Sequence, residues 1–339
     1  AEHSLEVQIP FLQVVLPDVP IVPIVMGTQD AYACSELVNG IARALKVSGR
    51  KVLVVASSDL SHYKTAKAAR DIDENFLDCF ENLDYFRLQM ECMMQKAEAC
   101  GWGPVSVMMM LAELEGGRSA RVLKYANSAD SRYVPAKDSS RVVGYMAGII
   151  TNDQPKPGIS EISGEDKALA LRLARENVES VVHNGKRISL PDRLPEVFSE
   201  KAAAFVTINN KSGLRGCIGH TIASLPLGKE ILSSSASAAK DDYRFGEIRE
   251  GELKDLSYEI SVLTRMKRVF SFDEIKVGRH GLFIRYSRNT GILLPQVAEE
   301  RKWTVQEFLE NVSLKAGIPR DFYKKQEAEL FTFEAIIIK

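Results

Sequence analysis

The sequence has no long apolar run, no excess of charge of one sign and few cysteines. No apolar stretch approaches the roughly 18 residues that span a bilayer, so we expect no membrane segment. The 44 basic and 45 acidic residues leave a net charge of −1, which argues against nucleic-acid or membrane-surface partners because both need clustered positive charge. The five cysteines form no paired framework, which fits a reducing compartment and predicts a cytoplasmic protein.

The length predicts two domains, since globular domains average about 150 residues and the chain has 339. A polar, proline-containing stretch at 151–158 breaks regular structure. We therefore place one domain at 1–152, a linker at 153–164 and a second domain at 165–339. The chain begins at Ala1 without a signal-peptide pattern, and we expect an N-terminal part to be absent or removed by processing.

The first half alternates apolar runs with helical stretches, which predicts a layered α/β domain. Segments 21–26 and 51–56 are predicted as buried strands. After Lys51 the second is apolar throughout, which indicates burial on both faces, as in a parallel sheet. Further predicted elements are helices at 35–46, 65–83 and 104–115 and strands at 121–125 and 142–150.

The second half predicts an α+β domain, because hairpins are segregated from helices. Ser163 and Asp166 predict the start of a helix that ends at Gly185. The other predicted elements are hairpins at 203–208 with 214–220 and at 282–286 with 292–294, helices at 226–240 and 304–317, and strands at 258–262 and 330–338.

A cluster of polar residues, Ser57-Ser58-Asp59-Leu60-Ser61-His62-Tyr63, follows the predicted strand at 51–56. Ligands of open α/β sheets bind beyond the carboxyl ends of strands. Asp59 and His62 could act as a base and its orienting group or as metal ligands. The alternative is that this stretch caps the next helix.

Cys100 comes just before a predicted helix, whose N-terminus favours a thiolate and so suits a metal ligand or a nucleophile. A buried structural cysteine is the alternative. His3 lies between two acidic residues, a pattern more typical of a surface histidine. Cys34, Cys79 and Cys92 lack zinc-type spacing and are interpreted as core or surface residues.

Three motifs, at 2–13 (Glu-His-Ser-Leu-Glu-Val-Gln-Ile-Pro-Phe-Leu-Gln), 57–63 and 100–104 (Cys-Gly-Trp-Gly-Pro), resemble the Memo family. The resemblance implies a fold similar to the LigB-type class III extradiol dioxygenases, which are non-haem iron enzymes. It also implies a redox metal, iron or copper, held by two histidines of the family's N-terminal half and a cysteine that Cys100 matches. His3, Asp59 and His62 match pocket residues of that family, so we expect His3 and His62 to join Cys100 at the metal.

The N-terminal half of the Memo family, with its two metal-ligand histidines, has no counterpart in this sequence. We therefore expect an incomplete coordination sphere. We also expect an unpaired sheet edge beside residues 52–56.

The second half contains Leu214-Arg215-Gly216-Cys217-Ile218-Gly219 on a predicted strand. Arg215 and Cys217 would share one face, and an arginine beside a cysteine stabilises a thiolate, which makes Cys217 a candidate nucleophile. The alternative is an ordinary strand with a buried cysteine and a glycine bulge.

This motif, with 242–245 (Asp-Tyr-Arg-Phe), 278–282, 293–298 and 315–319, resembles the AMMECR-type domain over about 165–339. The resemblance implies an α+β fold in which the motif faces a cleft. Memo-type and AMMECR-type proteins recur with a radical-SAM enzyme in the AmmeMemoRadiSam system. Because this chain has no Cys-x-x-x-Cys-x-x-Cys motif, we expect the radical-SAM protein to be a separate partner.

Two hypotheses of function follow. In the first, the chain is part of a metal-dependent, dioxygenase-like oxidoreductase, with His3, Asp59, His62 and Cys100 at one site and Arg215 and Cys217 at another. In the second, it is a non-catalytic scaffold that presents a small molecule or peptide to the radical-SAM partner. The sequence names no substrate.

Overall fold

A computed structural model describes residues 3–131, 139–153, 159, 161–325 and 327–339 of the chain. Residues 154–158 and 160 of the predicted linker lie outside the described residues. The chain divides into two units, Ala1–Lys156 and Pro157–Lys339, which we call unit 1 and unit 2. Helices and strands are combined in both units, which confirms the mixed α/β class.

Unit 1 packs helices with a small antiparallel sheet. Its helices are α1 (Ile9–Val15), α2 (Ala31–Ser48), α3 (Ala66–Glu81), α4 (Tyr85–Met93) and α5 (Trp102–Leu114). Its strands are β1 (His62–Lys64), β2 (Ser119–Asn127) and β3 (Val142–Thr151), paired in the order β1-β3-β2. The predicted α2, α3, α5, β2 and β3 are therefore confirmed. Asp30 and Thr65 start α2 and α3 because each side chain accepts a backbone N–H of the first turn.

The two strands predicted at 21–26 and 51–56 are wrong, since neither belongs to a sheet in the described part of the chain. Most of their large apolar side chains are exposed rather than buried, from 44% at Ile24 to 82% at Val22, and only Met26 and Val54 are half-buried. β-branched composition favours a strand only where a neighbouring strand accepts and donates the backbone hydrogen bonds. The described residues of unit 1 supply no such neighbour to either segment.

Unit 2 is built on two four-stranded sheets. The first has the order β11-β6-β4-β5 and contains β4 (Ala203–Asn210), β5 (Gly213–Gly219), β6 (Ser257–Leu263) and β11 (Ala335–Ile338). Helices α6 (Gly164–Asn184) and α7 (Leu227–Lys240) share one apolar core with this sheet. Ser163 caps α6 and Gly185 ends it in the left-handed conformation, as expected.

The second sheet of unit 2 has the order β7-β10-β8-β9 and a core of its own, centred on Phe308 and Leu282. It contains β7 (Lys267–Arg268), β8 (Gly281–Tyr286), β9 (Asn289–Leu293) and β10 (Glu329–Phe333), with helices α8 (Pro295–Glu300) and α9 (Val305–Lys315). The strand predicted at 330–338 is really two strands, because Glu334 interrupts it and β10 and β11 enter different sheets. None of the helices in the described ranges is long and apolar enough to cross a bilayer.

Candidate functional site

The polar segment 57–62 is anchored to the core of unit 1 by its middle residues. The N–H of Leu60 donates to the carbonyl of Gly144 at 2.9 Å, and the N–H of Ser61 donates to Asp73 Oδ1 at 3.0 Å. Leu60 and Ser61 are buried. Asp59 and His62, which flank these two residues in the sequence, are therefore held in fixed positions near the surface.

Asp73, on α3, fixes the polar segment by accepting the N–H of Ser61. Its buried carboxylate also accepts the Tyr125 hydroxyl at 2.8 Å. Burial raises the pKa of the Asp73 carboxyl, while the hydrogen bonds from Ser61 and Tyr125 oppose that shift. Gly144 faces the carboxylate so closely that a Cβ would collide with it. The segment is thus positioned by α3, β2 and β3.

Cys100 lies against Ser58 and Asp59, although it is 41 residues from Asp59 in the sequence. The N–H of Asp59 donates to Cys100 Sγ at 3.2 Å, and the N–H of Cys100 donates to the Asp59 carbonyl at 3.2 Å. Ser58 Oγ accepts the N–H of Gly101, which precedes α5, at 2.8 Å. Cys100 is exposed, so the alternative of a buried structural cysteine is wrong.

His62 lies between two carboxylates. Its Nε2 is 3.6 Å from Asp59 Oδ2, and its Nδ1 is 3.8 Å from Glu98 Oε1. Glu98 also accepts the backbone N–H of His62 at 3.1 Å and pairs with Lys64 at 2.9 Å. The sequence analysis missed Glu98, whose one signal is its position two residues before Cys100.

His3 pairs with a residue of its own N-terminal segment. Its Nδ1 pairs with Glu6 Oε1 at 2.6 Å, and its side chain is largely exposed. No hydrogen bond or ion pair among the described residues joins it to Asp59, His62 or Cys100. The N-terminal segment reaches the site through Gln8 instead, whose amide donates to Ser57 Oγ at 3.0 Å.

The described residues of unit 1 do not by themselves fit a metal. Within the described ranges, no three His, Cys, Asp or Glu side chains meet in a way that could hold an ion. Among the described residues, Asp59 links Cys100 to His62, through its N–H on one side and its carboxylate on the other. A thiolate and an imidazole suit iron or copper, but a protein site for such metals needs more ligands than this pair.

A surface cavity of about 440 Å³ adjoins this cluster. Its polar wall includes the Lys64–Glu98 ion pair, and its apolar wall includes Trp102, at the start of α5. The lining residues are Lys64, Cys92, Gln95, Ala97, Glu98, Ala99 and Trp102. Glu98 therefore joins the cavity to His62.

In unit 2, Cys217 lies on β5, which is an edge strand of its sheet. Its N–H and carbonyl point away from β4 and are bound by side chains. Asp242 Oδ2 accepts the N–H at 2.8 Å, and Arg244 Nη2 donates to the carbonyl at 3.0 Å. The Asp-Tyr-Arg-Phe motif thus covers the sheet edge where another strand would pair.

Arg215 forms hydrogen bonds with a different loop, residues 246–252. It makes two hydrogen bonds with the Glu252 carboxylate, at 2.7 and 3.0 Å, and also donates to the carbonyls of Gly246 and Glu247. These contacts hold residues 246–252 against β5. The guanidinium that acts on the Cys217 thiol is that of Arg244 rather than Arg215.

The Cys217 thiol is half-buried and accepts a hydrogen bond from Thr207 Oγ1 at 3.3 Å. Burial raises its pKa, although Thr207 and Arg244 act in the opposite direction. The surroundings therefore favour the protonated thiol and do not activate it as a nucleophile.

The sequence analysis also missed a polar row across this sheet. Cys217 pairs with Thr207 in register, and Thr207 pairs with Glu259 on β6. Glu259 binds Lys339 at 3.0 Å and accepts the Gln296 amide at 3.2 Å. Strand alternation around Tyr258 and Ile260 could have placed Glu259 on the face opposite the core.

Comparisons with known proteins identify both halves. Residues 1–149 match the family model described as Memo-like protein, and residues 171–338 match the one described as AMMECR1. The chain therefore combines a Memo-like domain with an AMMECR1 domain. Unit 1 contains the Memo-like domain, and unit 2 contains the AMMECR1 domain. Both resemblances that the motifs indicated are therefore confirmed.

The relatives match different shares of this chain. A MEMO1 family protein of Methanosarcina mazei is 40% identical over 150 residues, which are 44% of this chain but only 55% of that relative. A protein of Methanococcus aeolicus is 37% identical over 189 residues, which are 53% of this chain and 94% of that protein. A crystal structure of an uncharacterized protein from Pyrococcus horikoshii superimposes with a TM-score of 0.51 at 34% identity, covering 52% of this chain and 92% of that one.

Proposed function

We propose that the chain is a component of a metal-dependent redox or modifying enzyme related to the extradiol dioxygenases, with iron or copper as the metal. The junction of Asp59 with Cys100 carries this proposal, because the Asp59 N–H binds an exposed thiol while the Asp59 carboxylate approaches His62. The described residues are too few for a complete metal site. The proposal therefore needs further ligands from polypeptide outside them.

The protein groups have separate roles in this proposal. Cys100 would hold the metal together with ligands from polypeptide outside the described residues. Asp59 and Glu98 orient the imidazole of His62, which exchanges a proton with the substrate. A substrate would enter the cavity beside Trp102.

The test is elemental analysis of protein purified without oxygen. The chain is compared with a form joined to the part of the Methanosarcina MEMO1 relative that it does not match. We expect stoichiometric iron or copper in the joined form, loss of the metal in Cys100→Ser and retention in the control Cys92→Ser. Absence of metal from both wild-type forms would overturn the proposal.

The contacts in the AMMECR1 domain favour a second candidate, a scaffold that binds the radical-SAM protein of the same system. Arg215 binds Glu252 and the loop beside it, and burial raises the pKa of the Cys217 thiol, which is consistent with structural roles for both residues. A Cys100→Ala, Cys217→Ala double variant would then bind that protein with unchanged affinity. A large loss of binding would contradict the scaffold role.

A further inference from the structure

One carboxylate of the AMMECR1 domain lies on the side of the first sheet of unit 2 that faces away from the core. Glu259 is placed there by strand alternation, because its neighbours Tyr258 and Ile260 both belong to the core. Its side chain is only 18% exposed. A carboxylate so far removed from water needs partners that compensate its charge, and Glu259 takes them from two other parts of the domain.

The first partner of Glu259 is the ammonium group of Lys339, 3.0 Å from Oε2. The hydrogen bond and the charge of Glu259 raise the pKa of Lys339, and Glu300 on α8 adds a weaker effect in the same direction. The Lys339 side chain is 70% exposed, and exposed ion pairs contribute little to stability. Lys339 can therefore leave this position at little cost, while the Glu259 carboxylate stays on its strand.

The second partner comes from the other sheet of unit 2. Gln296, on α8, donates its amide to Glu259 Oε1 at 3.2 Å and to Ser261 Oγ at 3.4 Å. The amide oxygen of Gln296 is buried and has no hydrogen-bond donor among the described residues. A buried acceptor without a donor is costly. One acceptor beside Glu259 is therefore left for a ligand that donates hydrogen bonds.

The two sheets that contribute these groups are joined by two short crossings of the chain. It passes from β6 to β7 at 264–266 and from β10 to β11 at Glu334. The crossings lie side by side, since the N–H of Thr264 donates to the Glu334 carbonyl at 2.9 Å and the N–H of Glu334 donates to Thr264 Oγ1 at 2.8 Å. Each sheet has its own apolar core. Paired crossings between separate cores are suited to act as a hinge.

We propose that Glu259 and Gln296 form a binding site for a small molecule with a primary ammonium group, and that Lys339 fills this site in the absence of that ligand. The ammonium group of the ligand would replace Lys339 at Glu259 and donate a further hydrogen bond to Gln296 Oε1 as the hinge opens. The nearby carboxylate of Glu300 favours a cation at this position. The inference goes beyond the proposed function, because the site lies in the AMMECR1 domain and requires neither a metal nor a protein partner.

The test measures binding of n-butylamine, which reproduces a lysine side chain, by an amide NMR titration of the whole chain. We expect saturable shifts in β6 and α8 of the wild type. Lys339→Ala should bind about fivefold more tightly, because the ligand no longer competes with an exposed ion pair. Glu259→Gln should bind about tenfold more weakly, because a hydrogen bond to a charged group is lost.

Two controls accompany these variants. Lys211→Ala removes a lysine from another exposed ion pair, with Asp255, and should bind n-butylamine as the wild type does. n-Butanol, which has the same carbon chain without the charge, should not bind. Gln296→Met keeps the size of the side chain and removes its amide, and should bind n-butylamine about fivefold more weakly. It provides the decisive variant if Glu259→Gln fails to fold.

Three results would overturn the inference. One is the absence of saturable binding by the wild type. Another is binding by Lys339→Ala alone, which would mean that the amine merely fills the space left by the removed side chain. The last is unchanged affinity in a folded Glu259→Gln or Gln296→Met variant. Absence of metal, or of binding to a radical-SAM protein, would count against the proposed functions and leave the amine site standing.

Discussion

The carboxylate of Asp242 accepts the backbone N–H of Cys217 at 2.8 Å and closes the free edge of β5. The same carboxylate pairs with Arg244 at 2.7 Å, and Arg244 in turn donates a hydrogen bond to the carbonyl of Cys217. Two motifs that are separate in the sequence therefore form one clamp. This clamp gives the aspartate and the arginine of the second motif a structural role at the edge of the sheet.

Asp242→Ala should destabilise the AMMECR1 domain, because it leaves the Cys217 N–H and the Arg244 guanidinium without their partner. Hydrogen bonds to charged groups contribute about 1.5–3 kcal/mol each, so we expect a loss of at least about 2 kcal/mol. Denaturant unfolding followed by Trp303 fluorescence, in a Trp102→Phe background, measures it. Asp255→Ala is the control, since its partner Lys211 is exposed and such pairs contribute little. Equal effects of the two substitutions would contradict the clamp.

The clamp also predicts a pH dependence. The Arg244 guanidinium, helped by the Cys217 N–H, lowers the pKa of Asp242 from 3.8 to about 2. Because the folded state binds this proton less readily than the unfolded state, Asp242 stabilises the fold above its unfolded pKa and ceases to do so as the pH falls towards 2. The stability difference between wild type and Asp242→Asn should therefore be constant above pH 5 and shrink between pH 4 and pH 2. A difference that does not change with pH would be the contrary result.

The five thiols should differ in reactivity. Cys100 is exposed, whereas burial raises the pKa of Cys217 and, to about 12, that of Cys92. Since the thiolate is the reactive form, iodoacetamide at neutral pH should modify Cys100 first and Cys217 at least tenfold more slowly. Peptide mass spectrometry of the native protein over time gives the order. Faster labelling of Cys217 would restore it as a candidate nucleophile.

Gly144→Ala should destabilise the Memo-like domain, because the new methyl group would collide with the Asp73 carboxylate. Overpacking of this kind costs about 1–3 kcal/mol. Trp102 fluorescence in a Trp303→Phe background reports the change. Gly40→Ala, within α2 and with open space around its Cβ position, is the matched control and should stabilise by up to about 1 kcal/mol. Similar stability of the two variants would show that Asp73 has room to move.

Local patterns in the sequence predicted most of the second half correctly. The Ser163 cap, the Gly185 helix end and the hairpin of β4 with β5 all depend on residues close together in the chain. The candidate site in the first half was predicted in part. Asp59 and Cys100 do meet, but Glu98 was missed because its role depends on the turn that brings it to His62.

The sequence by itself determined the family of each half, the helix caps and the segments with strand-forming composition, since these follow from the identity and spacing of neighbouring residues. Only the tertiary structure decided which of those segments find a partner. Residues 51–56 have the composition of a strand and remain exposed, while 330–338 divides between two sheets. A strand is stable only with hydrogen-bond partners from elsewhere, and the supply of those partners is a property of the assembled fold.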